Sequence, residues 1–150
     1  MNKIMPEKNI RIILVDDEKD FNHTMSFWLR SQGYEVVSFL TGEEALEFLK
    51  NESADLVLLD TRMPAMSGIE VLESLRQFNK DIPVVFISAY VDKNRVEEAK
   101  SYGISGVFFK GDDFSNIHKI IKDILEKERP WFLRLRDLLR NLSKIIKGKG

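Results

Sequence analysis

Four short, mainly apolar runs, residues 10–15, 56–59, 84–87 and 107–109, each give way at once to a side chain bearing charge or a hydroxyl. The first run ends in Asp16-Asp17-Glu18, the second in Asp60, the third in Ser88 and the fourth in Lys110. A fifth, weaker run covers 35–40. None alternates cleanly between apolar and polar. Strands covered on both faces read this way, and such strands belong to parallel sheets.

Segments with helical spacing lie between the runs. Phe21, Met25, Trp28 and Leu29 form one; Ala45, Leu46, Phe48 and Leu49 form another, after a Thr41–Glu44 start that resembles a capping box. Ile69, Leu72 and Leu75 follow Ser67; Val96 and Ala99 follow Asp92; Ile117, Ile120, Ile121, Ile124 and Leu125 follow Phe114. Gly33, Pro64, Gly68, Pro83, Gly103 and Gly111 fall in the connectors. Strand and helix alternate five times, which predicts a doubly wound α/β sheet with right-handed crossovers. One more helical stretch follows Pro130, where the fifth helix must kink or end.

The chain has no cysteine, which excludes disulfides and thiolate metal sites. No apolar run approaches the roughly 20 residues of a spanning helix, and a cytoplasmic location is expected. Charge is unevenly spread. Between Lys127 and Gly150 eight basic side chains face only Glu128 and Asp137, so this segment carries about +6 of a total of -1 and has a job of its own. The expected divisions are 1–9, a tail; 10–129, the α/β domain; and 130–150, a basic amphipathic helix.

In open α/β sheets, ligands bind beyond the carboxyl ends of the strands. Asp16, Asp17, Asp60, Ser88 and Lys110 would therefore converge on one edge. Three carboxylates in one cleft repel, which raises at least one pKa. Mg²⁺ relieves this: it takes oxygen ligands and pairs one or two carboxylates with a phosphate. Lys110 offers a compact charge to a phosphate oxygen, and Ser88 a short hydroxyl donor. The set suits phosphoryl transfer to or from a carboxylate.

Asp16-Asp17-Glu18, then Asp60-Thr61-Arg62-Met63-Pro64-Ala65-Met66-Ser67-Gly68, then Ser88-Ala89 and Lys110 together resemble a response-regulator receiver domain of two-component signalling, over roughly 10–128. The resemblance implies a flavodoxin-like five-stranded parallel sheet of order 2-1-3-4-5. It implies Asp60 as phosphoacceptor, with Ser88 and Lys110 on the phosphoryl group. Asp17, Asp60 and the backbone carbonyl of Arg62 would bind Mg²⁺ directly, and Asp16 largely through water. The donor would be a phosphohistidine on a sensor histidine kinase or histidine phosphotransfer protein.

The sequence departs from this family twice. Gly111 follows Lys110 where proline is usual. Val107 stands where the family has Tyr or Phe as a rotamer switch. The rival enzyme, a Mg²⁺-dependent aspartyl-phosphate phosphatase of the haloacid-dehalogenase type, needs a second Asp two residues after its nucleophile; Arg62 is there instead. The expected function is thus a phosphorylation switch without turnover of an external substrate.

Arg62 and Tyr90, each two residues past a site residue, are placed to screen the phosphoryl group from water. His23 and His118 lack a second ligand at metal spacing and read as surface histidines. Trp28, Phe48 and the 117–125 stripe read as core. Trp131, Leu135, Leu138, Leu142 and Ile145, flanked by Phe132, Leu139 and Ile146, make a strongly amphipathic helix. Pairing with another helix, that of a second copy or of a partner, is the expected use, and a two-fold dimer is the form expected. Self-docking and a membrane-surface or nucleic-acid role are the other readings. No separate DNA-binding output domain is expected within this length, whether the receiver stands alone or is cut from a longer protein, and DNA is not an expected partner.

Overall fold

The computed structural model describes residues 9–89 and 93–149. Its elements are β1 (Arg11–Val15), α1 (Lys19–Ser31), β2 (Glu35–Phe39), α2 (Gly42–Asn51), β3 (Leu56–Asp60), α3 (Gly68–Phe78), β4 (Val84–Ser88), α4 (Lys93–Ser101), β5 (Gly106–Phe109), α5 (Phe114–Glu128) and α6 (Trp131–Lys147). The five strands pair in parallel in the order β2-β1-β3-β4-β5, as expected. The chain forms two compact units, 1–118 and 119–150, which divide within α5.

Unbroken apolar runs become two buried faces because successive side chains on a strand point to opposite sides. Ile13, Val15, Val57, Leu59, Val84 and Phe86 pack in one cluster with Ala45, Leu46 and Leu49 of α2, Val71, Leu72 and Leu75 of α3, and Ala99 of α4. The alternate residues Ile12, Leu14, Leu56, Leu58, Val85 and Ile87 are also fully buried, as are Met25 and Leu29 of α1.

The helix boundaries follow local chemistry. The Thr41 hydroxyl accepts a hydrogen bond from the Glu44 N–H at 3.3 Å, and the Ser67 hydroxyl one from the Glu70 N–H at 3.3 Å. Each satisfies an N–H that a helix start leaves unpaired. Gly33 (φ +94°) and Gly103 (φ +77°) end α1 and α4 in the left-handed region that glycine enters without Cβ strain. Pro130 caps α6, so α5 ends before it. Asp92, expected to start α4, lies outside the described residues.

Arg76 ties the connection that leads into β4 to the one that leads into β5. Its guanidinium donates to the carbonyls of Tyr102 (3.0 Å), Asn79 (3.1 Å), Ile82 (2.9 Å) and Gly103 (3.2 Å). At the opposite end, Asn22, almost fully buried, donates through Nδ2 to the carbonyls of Asp16 (3.0 Å) and Phe39 (3.1 Å). That bond pair fixes the turn from β1 into α1.

Gly68 opens α3 against the end of β3. A Cβ there would collide with the Asp60 carbonyl oxygen and lie 2.9 Å from Thr61 Cα. The obstruction is backbone, so it cannot rotate away. Gly68→Ala should lower stability by about 1–3 kcal/mol, the range for overpacking. The check is the urea midpoint at constant m-value; an unchanged midpoint would mean the turn is free to open.

Candidate functional site

Strand register builds the site. Val15 of β1 is level with Leu59 of β3, so the residues that follow them, Asp16 and Asp60, stand side by side. Asp60 is level with Ile87, and Ser88 with Phe109, the residue before Lys110. Asp16, Asp60 and Ser88 are all buried, and the Lys110 N–H donates to the Ser88 carbonyl at 2.9 Å. The strand order reverses direction between β1 and β3, the switch point where open α/β sheets place their ligands.

Lys110 centres the arrangement. Its Nζ lies 2.9 Å from Asp16 Oδ2, 2.7 Å from Glu18 Oε1 and 3.3 Å from Asp60 Oδ2, with the side chain only 11% exposed. The Phe21 ring centroid is 4.7 Å away, within range for a cation–π contact. Asp16 Oδ1 accepts the Glu18 N–H at 2.8 Å, and Asp60 Oδ1 accepts the Arg62 N–H at 3.1 Å.

Burial pushes the Asp60 carboxyl up to about 7; the Arg62 N–H and Lys110 pull it down, while the neighbouring Asp16 charge adds to the rise. Asp16 is raised too, chiefly by burial, against the pull of Lys110 and the Glu18 N–H. For Lys110 burial works the other way, but the carboxylates of Glu18, Asp16 and Asp60 outweigh it and hold the ammonium above its ordinary value.

The donors fit a hard cation. Asp16, Asp17 and Asp60 each offer a carboxylate oxygen, and these oxygens lie within 4.8 Å of one another. Asp16 Oδ2 is buried and, although close to Lys110 Nζ, accepts no aligned hydrogen bond. Buried carboxyls at raised pKa, one oxygen left unsatisfied and all-oxygen donors are what a divalent ion of this class relieves.

Comparison with known proteins agrees. The family model for the response regulator receiver domain matches residues 12–122. The chain belongs to the response-regulator receiver family. The receiver is 31% identical over 117 residues to sporulation initiation phosphotransferase F of Bacillus subtilis, covering 78% of this chain and 94% of that protein. It is 34% identical to the transcriptional regulatory protein ZraR of Escherichia coli, covering 81% of this chain but only 27% of that regulator. The solved response regulator TrrA of Thermotoga maritima, in complex with Mg²⁺ and BeF, aligns with a TM-score of 0.70 at 31% identity, covering 76% of this chain and 97% of that one. The receiver is therefore a phosphoacceptor domain of two-component signalling, and the phosphatase reading is not favoured.

Of the residues expected at the site, Asp16, Asp17, Asp60 and Lys110 meet, and Ser88 sits on the same edge. Arg62 is exposed beside Asp60. Tyr90 lies outside the described residues. Val107 is half-buried and packs against the sheet core. Glu18 and Phe21, both on Lys110, went unassigned; Glu18 was visible as the third acid of its triplet, whereas nothing in sequence marks Phe21.

The reading of His118 as a surface residue is corrected. Its Nδ1 lies 3.1 Å from the Tyr34 hydroxyl, and its ring is half-buried against Trp28 and Tyr34, with centroids 6.1 and 5.7 Å apart. Those partners are far off in sequence. His23 is exposed, as expected.

The raised Asp60 pKa makes metal-free stability depend on pH. Between the unfolded value, 3.8, and about 7 the unfolded chain ionises this carboxyl while the folded chain holds its proton. Stability therefore falls as pH rises through that window and stays reduced above it. Asp60→Asn removes the penalty. Without divalent cations, the variant should melt several degrees above the parent at pH 8, and the gain should shrink at pH 4. A gain independent of pH would show that carboxylate burial is not its source.

Proposed function

We propose that Asp60 is the phosphoacceptor and that the receiver, residues 10–129, takes its phosphoryl group from a phosphohistidine of a sensor histidine kinase or histidine phosphotransfer protein in the cytoplasm. The observation that carries this reading is the convergence of Asp60, Asp16 and Lys110 at the switch point of the sheet. Mg²⁺ would be held by Asp17, Asp60 and the Arg62 backbone carbonyl, with Asp16 behind them. Bound there, it would offset the carboxylate charge and that of the incoming phosphoryl oxygens.

In the transfer, an Asp60 carboxylate oxygen forms the new O–P bond as the N–P bond to the donor imidazole breaks. The electron pair and, in time, a proton return to that imidazole. Lys110 is already 3.3 Å from Asp60 Oδ2, and turns toward the phosphoryl oxygens as Asp60 loses its free charge. Ser88 donates its hydroxyl to another oxygen. Little else is asked of the protein, because phosphoryl transfer depends mainly on position and charge neutralisation. Val107 has no ring to swing, so the signal leaves the site by other contacts. Phosphorylation biases two conformations whose faces bind partners differently, and the group is lost by slow self-hydrolysis, without turnover of an external substrate.

With Mg²⁺ and acetyl phosphate, the intact mass should rise by one acid-labile phosphoryl group, and Asp60→Asn should show none. Equal labelling of Asp60→Asn would sink the assignment. Asp17→Ala should weaken Mg²⁺ binding by about tenfold or more, the scale of lost metal-site contacts, and Asp16→Ala by less; equal losses would remove the distinction between them. Arg62→Ala should shorten the phosphoryl half-life severalfold by admitting water. A half-life as long as the parent's would rule out screening by Arg62.

A further inference from the structure

The helix α6 shows no buried residue, yet its apolar side chains are large: Trp131 is 69% and Ile146 74% exposed. On the wheel of an α-helix, at roughly 100° per residue, eight of these nine side chains fill one unbroken arc of about 140°, from Ile145 at one edge through Trp131 and Leu135 to Phe132 at the other, and half-buried Leu133 lies on the opposite side. Arg136, Arg140, Lys144 and Lys147 lie outside it. The helix contains one carboxylate, Asp137, which is already held by Arg129 at 2.6 Å. No helix among the described residues is long and apolar enough to cross a membrane.

We propose that α6 lies in the surface of an anionic lipid bilayer, its apolar arc at the acyl boundary and its basic face among the headgroups. A wide apolar face with Trp and Phe, opposed by a Lys- and Arg-rich face on a helix too polar to span, is the composition that interfacial binding requires. Anionic lipid adds an attraction that grows with each basic side chain near the surface.

A second copy fits less well. A two-stranded seam through Trp131, Leu135, Leu138, Leu142 and Ile145 is narrower than the arc. It would leave Phe132, Leu139 and Ile146 in flanking positions where such pairs place complementary charges. It would also bring together two helices that each carry five basic side chains against one acid. Nucleic acid would engage the basic face and leave the arc in water. A lipid surface satisfies both faces together, and it does so whether or not Asp60 is phosphorylated.

The test uses the full chain as Trp28→Phe, so that Trp131 is the remaining tryptophan. The protein is sedimented with vesicles of phosphatidylcholine alone or mixed with phosphatidylglycerol. It should pellet with the anionic vesicles and far less with the neutral ones, with Trp131 emission shifting to the blue. Leu135→Glu with Leu142→Glu should abolish partition. Arg140→Glu with Lys144→Glu keeps the arc and should weaken partition about tenfold or more. Thermal melting shows that each variant keeps the folded receiver. Three results would overturn the proposal: protein left in the supernatant with both vesicles; a blue-shifted Trp131 without vesicles together with a doubled mass by light scattering; or tight binding to duplex DNA by protein that ignores vesicles.

Discussion

Lys110 holds three carboxylates at once, and the stability of the domain's chemical edge rests on that cation. Asp16 and Asp60 are both buried and adjacent by strand register, an arrangement that repels unless a positive charge stands between or a proton is taken up. Lys110 supplies the first, through contacts of 2.7–3.3 Å, yet the Asp60 pKa stays raised, chiefly by burial and then by the neighbouring Asp16 charge. The edge is thus short of positive charge. A divalent cation placed there would relieve that shortage.

The fold was legible because the strands carry little else but apolar residues. Runs such as 56–59 and 84–87 are buried on both faces, so their unbroken apolar character needs no partner to interpret. Thr41 and Ser67 announced helix starts through a local bond to an N–H three residues on. Asp60 and Lys110 were legible for a related reason: a charge at the tip of a buried strand lacks a structural excuse. Each of these signals is local in sequence.

What stayed hidden depends on contacts between distant residues. Tyr34 and His118 meet across 84 positions, and neither carries a local pattern. Asn22 looks like any polar residue on a helix, yet it is buried with its amide on two carbonyls, one just past β1 and one at the end of β2. Phe21 reads as an ordinary apolar helix position until Lys110 is found over its ring. Arg76 is the same case, a surface-type residue whose four acceptors come from two separate connections.

The Arg76 clasp also sets the two ends of the sheet apart in kind. At the carboxyl ends of the strands, the contacts among Asp16, Glu18, Asp60 and Lys110 are between groups that titrate. At the amino ends of β4 and β5, one charged guanidinium bonds backbone carbonyls, none of which titrates. The entries to β4 and β5 are thus clasped by contacts that a change of protonation at the opposite edge leaves untouched.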